Sequence, residues 1–299
     1  MSVTERVHLF GEGGALGIVT LPPGDPGTVD APAAGNPFLV ILNAGLVHRI
    51  GPFRLSVDLA RRLAARGSRV LRLDLPGIGD SPARGGSAPV EGQAVDACRE
   101  AMNHLAERYG ARTFMVGGLC AGAVHAHRVG LADPRVEGVC LLDGYVYPTL
   151  ISQARRVAVT ARRPQGLLSL GRRLATQGAV RLGSILSGDS TPPKEDRSTG
   201  EAGDSRVGLF YQSWPPVQSA RADIERMLDR GVRFLFVYTG GWSGFNYPGQ
   251  FDDIFPSLPG RHQITVKYYP DADHTFLTLK DREALFQSVE QFVAGAQAS

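Results

Sequence analysis

Cys120 lies in the stretch FMVGGLCAGA, residues 114–123, with Gly118 two positions before it and Gly122 two positions after. The apolar run ahead of the cysteine has the character of a buried strand, and AGAVHAHRVGLAD behind it has the character of a helix. A side chain held on a tight strand-to-helix turn needs small neighbours, because the two backbones come close together there. A thiol at the start of a helix also faces the positive end of the dipole, which favours thiolate, the reactive form. Free cysteines are more often buried structural thiols. That role is assigned to Cys98, in a helical pattern, and to Cys140, in an apolar strand.

The segments around this turn must place it. VHLFGEGGALGIVTLPPG reads as a hairpin, FLVILNAG as a strand buried on both faces, and LSVDLARRLAAR as a helix closed by Gly67. SRVLRLDLPGIGDS is a strand running into a Pro/Gly turn, and VEGQAVDACREAMNHLAERYG is a helix. The beat continues with VEGVCLLDG, SARADIERMLDRG, VRFLFVYTGG, QITVKYYPDADH and LKDREALFQSVEQFVAGA as strand, helix, strand, strand and helix. Such alternation predicts a mostly parallel, doubly wound α/β sheet, whose chemistry sits at the carboxyl ends of the strands. Residues 145–216 break the pattern, with interrupted helical segments followed by a polar Ser/Gly/Pro-rich stretch. They predict a helical lid inserted after the sixth strand, between core portions at 1–144 and 217–299.

With 299 residues, 43% hydrophobic and 20% charged, the chain is long enough for one sizeable core, and a net charge of +3 gives no case for nucleic acid. No apolar stretch is long enough for a membrane span, and charges occupy MSVTERVHLF where a signal peptide would be apolar. Three widely spaced cysteines make neither a disulfide framework nor a zinc site, so a cytoplasmic setting with no metal or cofactor is expected.

Gly118-Leu-Cys-Ala-Gly122 resembles the nucleophile elbow of the α/β-hydrolase superfamily, with cysteine in place of the usual serine. The order of segments resembles that fold over nearly the whole chain. NAGLVHRIGPFRL, LDLPGIGDS, GLCAGA and ADPRVEGVCLLDGYVYPT together are most similar to hydrolases associated with exosortase and exopolysaccharide gene clusters; dienelactone hydrolases share the cysteine elbow but are shorter. The resemblance implies His274, in PDADHTF, as general base, and a triad acid in the chain order nucleophile, acid, histidine. The chain departs from the superfamily where that acid is usual: VYTGGWSGFNYPGQ has no carboxylate near Trp242 and none before Asp252. Asp143, leaving an apolar strand in LLDG, is the first choice and Asp252 the second; Asp273 is expected to point elsewhere. The amides of Ala121 and of Gly45 or Leu46 are expected to form the oxyanion hole. His48 and Arg49 are within reach of a pocket from the same loop, and Tyr145, Trp214 and Trp242 are candidate lining residues. His125 and His127 are assigned to packing or surface, and Asp80-Ser81 to a structural turn.

Between Asp143 and Asp189 there is no acidic residue, yet arginines pair at 155–156, 162–163 and 172–173. A solvated helix face accounts for them, and so does an anionic partner: the phosphate of a carrier pantetheine, CoA, an acidic glycan or a membrane surface. The expected function is hydrolysis of an acyl ester or thioester, small or carrier-bound, through a Cys120 acyl-thioester. The alternatives are acyl transfer to an alcohol or amine, and a non-catalytic binding protein on the same fold.

Overall fold

The computed structural model describes residues 2–29, 37–85, 90–161, 214–241 and 244–296. The N-terminal hairpin forms as expected: β1 (Thr4–Phe10) and β2 (Ala15–Leu21) pair antiparallel around the turn at Gly11 and Gly14. Then follow β3 (Phe38–Leu42), α1 (Leu55–Ala65), β4 (Val70–Leu73), α2 (Val90–Tyr109), β5 (Phe114–Leu119), α3 (Ala121–Ala132) and β6 (Val136–Leu142). The second half contributes α4 (Leu150–Ala161), α5 (Val217–Asp229), β7 (Arg233–Thr239), the short α6 (Gln250–Ile254), β8 (Ile264–Tyr269) and α7 (Leu279–Ala296). The eight strands make one sheet in the order β1-β2-β4-β3-β5-β6-β7-β8. β2 joins β4 antiparallel, and every pairing from β4 to β8 is parallel.

Strict alternation along the parallel strands separates two cores. Val40, Leu42, Val116, Val139, Leu141, Phe234 and Phe236 face the layer with α2, α3 and α5. Leu39, Ile41, Met115, Leu119, Cys140, Leu142 and Val237 face the layer with α1 and α7. A strand buried on both faces reads as a continuous apolar run, the pattern of FLVIL and FMVGGL. β5 lies centrally, between β3 and β6, so the turn that follows it opens at the middle of the sheet's carboxyl edge.

Most of the stretch expected to form a lid, including the second and third arginine doublets, lies outside the described residues, as does Trp242. Within it, α4 is helical and carries Arg155 and Arg156 on its exposed surface, with the Arg155 guanidinium 5.3 Å from the centre of the Tyr247 ring. Among the described residues no helix is long and apolar enough to cross a membrane.

Candidate active site

The bend between β5 and α3 is sharp because two glycines let three backbones meet. A Cβ on Gly118 would stand 2.6 Å from the carbonyl carbon of Gly122, and one on Gly122 would stand 2.5 Å from the carbonyl oxygen of Asn43 at the end of β3. Between them Cys120 takes φ 58 and ψ −116, a strained conformation for a residue with a side chain. Its amide donates to the Leu142 carbonyl at 2.9 Å, which anchors the bend to β6. The obstructing atoms are backbone and cannot rotate away. Gly118→Ala and Gly122→Ala are therefore each expected to lower unfolding free energy by about 1–3 kcal/mol. Gly92, where an added methyl meets nothing within 4 Å, is the control. Equilibrium denaturation of the three variants checks this; an unchanged Gly122→Ala would mean the bend is not tightly packed.

Cys120 is partly exposed, whereas Cys98 and Cys140 are buried, and burial pushes both of those thiols up to about 12. The imidazole of His274, in the turn after β8, is the hydrogen-bonding partner of the Cys120 side chain. Its Nδ1 stands 2.7 Å from Oδ2 of Asp143, which leaves Nε2 for the sulfur. Asp143 follows β6 directly, has φ 49, and is fully buried. Its carboxylate also accepts from the Thr239 amide at 2.7 Å and from the Thr239 hydroxyl at 2.6 Å. The structure thus brings together the three residues Cys120, His274 and Asp143, from the ends of β5, β8 and β6. Asp252, the second choice for the acid, pairs instead with Arg261 on the surface. Asp273 caps its own turn, accepting from the amides of Thr275 and Leu277.

Burial alone would pull the His274 pKa down. The hydrogen bonds to Asp143 and Cys120, with the charge attraction to both, outweigh it and raise the value to about 9. The imidazole therefore holds its proton at neutral pH, with a carboxylate behind it and a sulfur in front. Such a unit can attack an electrophilic carbon with the sulfur and hand the imidazole proton to a departing group.

The fold also places potential oxyanion donors. Ala121 opens α3, where the first amides have no acceptor within the helix. Across from it runs the loop after β3, with Gly45 at φ 57 and Leu46 exposed. His48 is exposed on that loop. Arg49, expected within reach of a pocket, is turned away: its guanidinium bridges Asp74 at 2.5 Å and Asp80 at 2.6 Å. Tyr145 is wholly buried, with its ring 5.3 Å from that of the half-buried Trp214. His127 is also buried, its Nε2 3.0 Å from an Asp223 carboxylate oxygen, and Ser81 ties the turn after β4 to β2, as a structural turn should. Among the described residues, no group of three His, Cys, Asp or Glu side chains is arranged to hold a metal ion.

Comparisons with known proteins bear on the fold. Residues 39–186 match the family described as serine aminopeptidase, S33, a hydrolase family. Among solved structures, the chain is similar to proline iminopeptidase from Mycobacterium smegmatis, at 16% identity over 98% of each chain with a TM-score of 0.59. The chain has the α/β-hydrolase fold. A second α/β-hydrolase-fold neighbour is a malate-bound thermophilic esterase from Thermogutta terrifontis, at 16% identity, 98% of this chain and 99% of that one, TM-score 0.55. A third is the 2-hydroxy-6-oxo-6-phenylhexa-2,4-dienoate hydrolase from Rhodococcus sp. strain RHA1, at 15% identity, 98% and 99% coverage and TM-score 0.56. No curated protein matches. In this α/β-hydrolase fold the triad-like carboxylate comes from the end of β6, and Thr239 at the end of β7 serves to fix it. Nothing in the sequence analysis pointed to Thr239. The signal available was its place as the last residue of an apolar strand that neighbours the one leading to Asp143.

Proposed function

We propose that this protein hydrolyses acyl esters or thioesters through a covalent Cys120 acyl-thioester, with His274 as the proton carrier and Asp143 as its orienting acid. The observation that carries the reading is the continuous hydrogen-bonded line from the Cys120 side chain through the His274 imidazole to the buried Asp143 carboxylate. In the first half-reaction the sulfur adds to the carbonyl carbon, and the negative charge moves to the carbonyl oxygen. The amides of Ala121 and of Gly45 or Leu46 stabilise it there. The bond to the leaving oxygen or sulfur then breaks, and the imidazolium proton goes to that atom. In the second half-reaction neutral His274 takes a proton from water, hydroxide adds to the thioester carbon, and the carbon–sulfur bond breaks to release the acid.

The leading experiment is incubation with a panel of acyl esters and thioesters followed by intact-mass measurement. The expected result is a single acyl adduct that localises to Cys120 by peptide mapping. A panel that yields no adduct and no turnover would refute the assignment. Chain-wide thiol reactivity gives a further prediction. Iodoacetamide is expected to modify folded protein once, at Cys120, leaving Cys98 and Cys140 untouched, because burial has pushed both of those thiols to about 12. Equal labelling of all three without denaturant would contradict it.

A further inference from the structure

The loop that carries Gly45 and Leu46 is cinched at both ends to one buried carboxylate, Asp74, the residue immediately after β4. At the near end, Asn43 Nδ2 donates to Asp74 Oδ1 at 2.9 Å and to the Val47 carbonyl at 3.0 Å, while its Oδ1 accepts the Leu75 amide at 2.7 Å. At the far end, the Arg49 amide donates to Asp74 Oδ1 at 2.5 Å and the Arg49 Nη1 to Asp74 Oδ2 at 2.5 Å. The Asp80 amide adds a donor from the next loop at 3.1 Å. A Cβ on Gly79 would stand 2.3 Å from Asp74 Oδ2, so this second loop is packed directly on the carboxylate.

Asn43 is also the residue whose carbonyl oxygen abuts Gly122 in the first turn of α3. One residue therefore touches the elbow through its backbone and Asp74 through its side chain. An oxyanion hole works only if its two donors lie about 2.7–3.1 Å from the place the oxygen will occupy. Here the donors come from different elements: Ala121 from α3, and Gly45 or Leu46 from the loop. Within the loop, the Val47 amide donates to the Ala44 carbonyl at 3.1 Å and the Asn43 side chain to the Val47 carbonyl, and these bonds close a local turn without fixing its distance from α3.

We infer that Asp74 and Arg49 are positioning residues for the oxyanion hole: their ion pair sets the separation of the Gly45/Leu46 amides from Ala121, and with it the rate of acyl transfer to Cys120. The inference rests on the acyl-thioester reading above and adds to it a carboxylate–guanidinium pair that touches no reacting atom. It also gives Arg49 a role that the sequence alone did not suggest.

The test is single-turnover acylation and steady-state kinetics of the parent, Arg49→Met, Arg49→Lys, Asp74→Asn and the Arg49→Met/Asp74→Asn pair, with iodoacetamide labelling of Cys120 in each. Removing one oxyanion donor outright costs roughly 10²–10³-fold in kcat, so a misplaced donor is expected to cost about 10–100-fold, with KM within about threefold. Arg49→Lys should recover part of the loss, and the double variant should be no slower than the worse single one, as for residues acting as a unit. Labelling of Cys120 should stay within about twofold of the parent, because displacement of iodide builds no oxyanion. Arg62→Met breaks a comparable cluster with Glu283 and Glu290, between α1 and α7, and should leave kcat unchanged. If Asp74→Asn does not fold, the partly accessible Arg49 still decides the matter. Folded Arg49 variants with parental kcat overturn the inference, and so does a kcat loss matched by an equal loss of Cys120 labelling, which would mean the elbow itself had moved. A parent that forms no acyl adduct overturns the nucleophile assignment first and this inference with it, so the two failures are told apart before any variant is made.

Discussion

Cys120→Ala is expected to lower turnover of whichever acyl substrate the parent accepts by about 10⁴-fold or more, since removing the nucleophile of a serine triad costs about 10⁶-fold in kcat. The acyl adduct should vanish completely. The argument is geometric. The alanine keeps the bend, because the strain at φ 58 belongs to any residue with a Cβ and the methyl is smaller than the thiol it replaces. Ala121, Gly45 and His274 stay where they were, so the variant isolates the sulfur from the rest of the machinery. Residual catalysis by the oxyanion donors and bound geometry alone leaves roughly 10³-fold over water in such sites, so a complete return to the uncatalysed rate would indicate that the fold had been disturbed as well. Retention of full activity by a folded Cys120→Ala protein would end the proposal. Substitution by serine makes a sharper companion. A serine hydroxyl needs an unprotonated imidazole to activate it, and the Asp143 carboxylate still favours the protonated ring once the sulfur is gone. Cys120→Ser is therefore expected to lose about 10²-fold or more and to gain rate as pH rises, read from a pH–rate profile.

The sequence carried the alternation of strands and helices and the bend because each follows from local chemistry, whereas His274 came from the resemblance of PDADHTF to the superfamily's histidine loop. Near-continuous burial is visible in VLRL and VEGVCLL, as in any strand covered on both faces. Small residues at 118 and 122 announce a close backbone approach that the structure shows with Asn43 and Gly122. Asp143 was legible as a carboxylate leaving an apolar strand, and the loop after β7, empty of acids until Asp252, narrowed the choice. What stayed hidden were the contacts between segments far apart in sequence. Thr239 lies 96 residues from the carboxylate it holds, and a threonine ending a strand has no distinguishing pattern. Arg49 reads as a side chain available to a pocket because it lies on the loop after FLVILNAG; its partners Asp74 and Asp80 are 25 and 31 residues away, brought beside it by the pairing of β3 with β4. The loop after β7 has no acid near Trp242, and the carboxylate beside His274 is that of Asp143.

Asp143→Asn carries the second large effect and exposes how the site manages its proton. In the parent the carboxylate has no solvent contact and accepts from His274 Nδ1 and from both donors of Thr239. An asparagine has one acceptor oxygen for these three donors, and its NH₂ group must face either Thr239 or the imidazole. Facing the imidazole, it donates to Nδ1 and turns the ring to the tautomer with the proton on Nε2, towards the sulfur and unable to accept from it. Turnover is then expected to fall by about 10²–10⁴-fold, the upper figure being the loss when a serine triad is forced into the wrong tautomer. The titration of His274 separates this from a packing defect. Its pKa of about 9 is a balance in which burial lowers the value while Asp143 and Cys120 raise it. With the carboxylate neutralised, the midpoint should drop markedly, as read from the imidazole Cε1–H resonance against pH. The sign of the linked stability follows. A folded-state value above the ordinary 6.5 means the pairing stabilises the parent fully below about pH 6.5 and loses that contribution as pH rises through about 9. The stability gap between parent and Asp143→Asn should therefore be wide near pH 6 and narrow above pH 9. Thr239→Val, which keeps the charge but removes one donor, should shift the midpoint less and cost turnover less. An Asp143→Asn protein whose His274 still titrates near 9 would show that the proton is held by something other than this carboxylate, and the mechanism built on it would have to be abandoned.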